Sequence, residues 1–145
     1  MKSCLVEEVD EHSFKVEGCF LDTLHEIKLT MLVSYPELEV TSAYATMLRT
    51  PYPDCPAVQD AASKLSGIKI GPGSRKAIQQ AVGHNQGCTH LTDLALDMAK
   101  VIIQAKFQLQ LREMTTEEWI DDNTSLFARS CHHWTGTNLN EKELV

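Results

Sequence analysis

The chain has 145 residues, 43% of them apolar and 23% charged, with a formal net charge of −7. That is one domain's length, enough to bury roughly two-thirds of the surface exposed on unfolding and so to build a core without staples. The acidic balance argues against a general nucleic-acid binder, which needs a positive surface to displace counterions. No apolar run approaches the roughly 18 residues of a membrane span.

The opening Met1-Lys2-Ser3-Cys4-Leu5-Val6-Glu7-Glu8 carries acids where a signal peptide has its apolar stretch, so the expected compartment is the cytoplasm. Five cysteines, Cys4, Cys19, Cys55, Cys88 and Cys131, are then expected reduced, an odd number that suits no disulfide framework.

Ser3–Val9 and Phe14–Phe20 read as short strands joined by the polar turn Asp10-Glu11-His12. Ile27, Leu29, Met31 and Val33 recur every second residue, which places one face on a core. Tyr35-Pro36-Glu37 breaks the run, because proline fixes φ and donates no ladder hydrogen bond. Leu38, Val40, Ser42 and Tyr44 resume the alternation, giving an antiparallel meander of four strands.

From Thr50 the texture changes. Pro51-Tyr52-Pro53-Asp54-Cys55-Pro56 suits neither a strand nor a helix interior, but Pro56 fits a first helical position, with Asp54 or Cys55 as the cap. Val58, Ala61, Ala62 and Leu65 then share a helical face, and Gly67 is a stop. Ile68-Lys69-Ile70 is short and extended, Gly71-Pro72-Gly73 turns, and Ser74 caps a second short helix ending at Gly83.

Thr89 is the expected N-cap of a third helix. Leu91, Leu94, Ala95, Met98, Val101, Ile102, Ala105 and Leu109 follow at offsets of three and four, a stripe that should lie across the sheet. Thr115 and Glu118 form a capping box for a further short helix. Asp121-Asp122-Asn123 reads as a turn, Leu126–His133 as an edge strand, and the polar tail from Asn138 as frayed. The whole is an α+β fold: an N-terminal antiparallel β-meander packed against one long and two or three short helices. Residues 1–145 form a single domain, with the sheet over about 3–46 and the helical part over about 54–130.

The chemistry-bearing residues gather at Gly87-Cys88-Thr89-His90-Leu91. Cys88 beside a helix N-terminus lies where unpaired N–H groups and the helix dipole suit a metal-binding or nucleophilic thiol. Cys55 also precedes a helix, and Cys131 is followed by His132 and His133. Were their loops to converge, Cys55, Cys88, His90 and Cys131 would make a Cys3His set suited to zinc or iron. The bland alternative makes Cys88 a small packing residue and His90 an ordinary first-turn side chain. Asp22 and His25 follow the second strand, where a carboxylate more often caps local backbone than binds a ligand. Cys4 and Cys19, within strand patterns, read as core filling. Gly71-Pro72-Gly73-Ser74-Arg75-Lys76 lacks the spacing of a phosphate loop, and turn-and-cap chemistry accounts for it.

Taken together, Asp22-Thr23, Pro51-Tyr52-x-x-Cys55-Pro56, Leu65-x-Gly67-x-x-Ile70-Gly71-Pro72-Gly73, Gly87-Cys88-Thr89-His90-Leu91 and Cys131 resemble the bacterial family catalogued as domain of unknown function twenty-eight eighty-nine, over roughly residues 14–133. The resemblance implies a cytoplasmic, stand-alone bacterial protein and no particular reaction. Two functions are therefore carried forward. One is a small metal-binding or thiol-dependent protein, open to catalysis and to a small-molecule ligand, centred on Cys88 and His90. The other is a non-catalytic binding or assembly module, a homo-oligomer whose cysteines are structural.

Overall fold

Alternating residues become four strands, β1 (Lys2–Asp10), β2 (Ser13–Leu21), β3 (Glu26–Ser34) and β4 (Val40–Arg49), in a computed structural model that describes residues 1–127. They form one antiparallel sheet in the order β1-β2-β3-β4, the expected meander. Helix α1 (Ser74–Val82), helix α2 (Thr89–Glu113) and helix α3 (Thr116–Phe127) follow, so the fold is α+β. By contacts the chain divides into two compact units, Met1–Lys106 and a second beginning at Phe107.

One face of the sheet is the core. Phe14, Val16, Ile27, Leu29, Met31 and Val33 are all at most 1% exposed, as period-two patterning requires. Leu91, Leu94, Ala95, Met98 and Ile102 of α2 are fully buried, so its stripe is the helical half of that core. The two layers meet closely at Gly18. A Cβ built there would lie 2.5 Å from Met98 Sδ and 3.0 Å from Leu94 Cδ1, so the helix rests where β2 has no side chain.

The alternation of the fourth strand differs from expectation. Its register slips between Leu32 and Val33, which pair with Ser42 and Val40 and leave Thr41 unmatched. The extra residue reverses the phase. Beyond it Ala43 and Met47 face the core, while Tyr44 is 61% exposed on the other face. Cys4 and Cys19 are only half-buried. Cys19 points away from the core because its neighbours Gly18 and Phe20 hold the inward phase, and Cys4 belongs to the exposed edge strand β1.

The segment Cys55–Leu65 is a 3-10 helix. Asp54 precedes it, Pro56 sits in its first turn, and Gly67 follows in a left-handed conformation, φ +86°. Its buried residues are Ala61, Ala62 and Leu65, all on the face that the sequence predicts. Gln59 Oε1 accepts a hydrogen bond from Met47 N at 3.4 Å, tying this helix to β4. The extended Ile68–Ile70 segment bridges Lys69 to Glu39.

Lys2 Nζ of β1 reaches Asp97 Oδ2 of α2 at 2.9 Å, and Lys100 Nζ binds Asp97 Oδ1 at 2.9 Å. Hydrogen bonds from these two ammonium groups hold the Asp97 carboxyl below the usual aspartate value of 3.8. A depressed carboxyl stabilises the fold above its unfolded pKa and ceases to as pH falls through the folded one. Both side chains of the Lys2–Asp97 pair are about one-third exposed, so screening limits the effect to less than about 1 kcal/mol. Asp97→Asn is therefore expected to lower the urea midpoint slightly at pH 7 and to match the parent at pH 2.

In the second unit Thr115 and Glu118 make the expected capping box. Thr115 N donates to Glu118 Oε2 at 2.8 Å and Glu118 N to Thr115 Oγ1 at 3.3 Å. Trp119 is buried, edge-on to Phe107 with ring centroids 5.8 Å apart. The expected turn Asp121-Asp122-Asn123 is instead helical. Asn123 Nδ2 donates to Trp119 O at 2.9 Å and Thr124 Oγ1 to Ile120 O, so turn-forming side chains bond back onto the helix. Leu126 and Phe127 belong to α3 and not to a strand. The remainder of that expected strand, with Cys131, and the frayed tail lie outside the described residues.

Candidate metal centre

The Gly87–Leu91 stretch is built by backbone contacts. A Cβ on Gly87 would overlap the Val82 carbonyl oxygen and lie 2.6 Å from that of Gly83, so only glycine fits. Cys88 N then donates to Val82 O at 2.9 Å. Thr89 is the first helical residue and Cys88 takes the cap position, its carbonyl accepting from Thr92 N at 2.9 Å. The hydroxyl that braces this end belongs to Thr92, not Thr89. Thr92 Oγ1 lies 2.8 Å from Cys88 O and 3.0 Å from Val82 O, bridging the preceding turn to α2.

This brace fixes His90 over the end of β2. Its ring centroid is 5.0 Å from that of Phe20 and 3.9 Å from that of His25. His25 stands in the β2–β3 loop, which Asp22 organises as an Asx turn. Asp22 Oδ1 accepts from Leu24 N at 2.8 Å and from His25 N at 2.6 Å, and Asp22 N donates to His25 O at 3.0 Å. The same carboxylate meets His25 Nδ1 at 3.0 and 3.1 Å. Desolvation works against the charge on Asp22, but the two amides and the imidazole outweigh it and hold its carboxyl below the usual range.

Asp22, His25 and His90 each offer a ligand atom within 4.8 Å of the others. Among the described residues this is the only such group of three or more His, Cys, Asp or Glu side chains. Donors bound to one ion at about 2.0–2.1 Å stand roughly 3.0–3.4 Å apart, the spacing His25 Nδ1 and Asp22 already have. The arrangement therefore joins the predicted residue His90 to Asp22 and His25, for which the sequence favours a turn role over a ligand role. Asp22 does both. Cys55 and Cys88 are free and half-buried and are not members of the group. Cys131 lies outside the described residues. A sequence signal for the missed partners was parity: His25 continues the inward phase of Ile27, Leu29, Met31 and Val33, and Asp22 that of Phe14, Val16, Gly18 and Phe20.

The fold and site thus define an α+β protein with a two-histidine, one-carboxylate cluster between a sheet loop and the start of a long helix. The chain belongs to the family described as Protein of unknown function (DUF2889), whose model matches residues 5–104. All three cluster residues fall within that stretch, and Cys131 lies beyond it. No curated protein and no solved structure matches the chain. No helix among the described residues is long and apolar enough to cross a membrane.

Proposed function

We propose that this is a cytoplasmic metal-binding protein that holds one divalent zinc or iron ion through Asp22, His25 and His90. The supporting observation is the 4.8 Å proximity of three ligand atoms from two separate elements. Imidazole suits both metals, and two histidines with one carboxylate leave coordination positions open. An ion so held would supply a Lewis acid and a site for water or a small-molecule ligand, which keeps catalysis within this reading. The Cys3His set of Cys55, Cys88, His90 and Cys131 is the competing ligand proposal, and it shares only His90.

Cobalt titration of the purified protein separates the two. The histidine–carboxylate site is expected to give weak visible bands without thiolate charge transfer. His25→Ala and His90→Ala should each lower affinity at least tenfold, while Cys55→Ser and Cys88→Ser leave it unchanged. Uptake that survives His25→Ala but fails in Cys88→Ser would overturn this site in favour of the cysteine set.

A second reading, self-association, has its own support. The register row Leu5–Glu17–Thr30–Tyr44 crosses the sheet, and on that outer face Leu5 of the edge strand β1 and Tyr44 and Leu48 of β4, at the opposite edge, are each more than half exposed. Exposed apolar side chains next to an open edge are a setting for pairing between copies. Sedimentation of the parent and Tyr44→Glu tests it: a monomer at high micromolar concentration removes this reading.

A further inference from the structure

We infer that the metal centre takes a small carboxylate as its external ligand and that Arg49 is the residue that reads it. The inference rests on the metal site proposed above. Arg49 ends β4, and its register partner is Glu26, the residue after His25. Its Nη2 donates to the Asp22 backbone oxygen at 2.9 Å, so the guanidinium is held against the loop that carries two of the three ligands. That bond uses one of five N–H donors. The Arg49 side chain makes no ion pair among the described residues, and the residue is exposed.

Charge points the same way. Two neutral imidazoles, one carboxylate and a divalent ion sum to +1; the guanidinium adds one charge and its register partner Glu26 removes one, so the local total stays at +1. A monoanion is the complement, and the arginine fork beside the loop would hold it. The fork matches the planar pair of carboxylate oxygens. A phosphate dianion would draw on further cations, and Arg49 is the one cationic side chain hydrogen-bonded to the loop among the described residues.

The test uses the cobalt-loaded full chain titrated with acetate, and in parallel with inorganic phosphate, following the cobalt visible spectrum. The parent should bind acetate more tightly than phosphate. Arg49→Gln should weaken acetate at least tenfold and Arg49→Lys several-fold, with cobalt affinity kept within threefold in both. Acetate affinity in Arg49→Gln equal to the parent's would overturn the inference while leaving the metal site standing. Equal loss of cobalt and acetate affinity would also overturn it, making Arg49 a brace for the loop only. Phosphate bound as tightly as acetate overturns the carboxylate assignment. Failure of the parent to take up cobalt removes the metal site itself, and the anion with it.

Discussion

Gly87→Ala is expected to cost about 1–3 kcal/mol of stability and to weaken cobalt binding on the order of tenfold. The added methyl meets the carbonyl oxygens of Val82 and Gly83, which are backbone atoms unable to swing aside as a side-chain tip would. The turn must open, and the carbonyl displaced is the one that Cys88 N and Thr92 Oγ1 both use. His90 is two residues further on, so the disturbance reaches its ring before the helix can absorb it. Urea unfolding and metal titration on the same preparation give the two numbers. A variant within about 0.5 kcal/mol of the parent and with unchanged metal affinity would show that the turn has room the backbone contacts deny.

Leu94→Ala is expected to be the more destabilising substitution, by about 2–5 kcal/mol. Leu94 is fully buried on α2 and approaches β2 at Gly18. Its removal leaves a hole that no side chain at position 18 can fill. The denaturant midpoint should fall with the m-value unchanged, since the surface exposed on unfolding is nearly the same. A loss below about 1 kcal/mol would mean that the layers collapse into the space, and would argue against Gly18 as their point of closest approach.

The regular parts of the fold were legible because burial imposes a period on the sequence. Ile27, Leu29, Met31 and Val33 alternate because their strand has one face on the core, and Leu91, Leu94, Ala95 and Met98 recur at helical spacing for the same reason. Where a single residue slips the period, the reading fails. Thr41 is such a residue, and it moved Tyr44 from an expected inward position to solvent. Within α3, Asn123 looked like a turn residue because its preferred hydrogen bonds are local, and a helix supplies a local acceptor too.

The site was half legible. His90 was singled out, but beside Cys88, its neighbour in sequence. Residues two apart at a helix start project from different sides, so nearness along the chain is a poor guide to which groups meet. His90 meets a loop some 65 positions earlier, through the packing of α2 on β2. Asp22 was read correctly as a turn carboxylate, and its hydrogen bonds to Leu24 and His25 show that role. The turn that satisfies the backbone also presents His25 to the helix.

Gly18 gives that geometry a fulcrum. From Met98, which sits over it, to His90 is eight residues, or about 12 Å of helix at 1.5 Å per residue. A tilt of about 5° around the contact would therefore swing His90 by about 1 Å, twice the tolerance of roughly 0.5 Å within which a ligand set must be held. The bare glycine lets the helix seat at one depth, with Leu94 and Met98 on either side as stops against rocking. The spacing between His90 and the Asp22–His25 turn thus depends on a side chain missing from the middle of a strand.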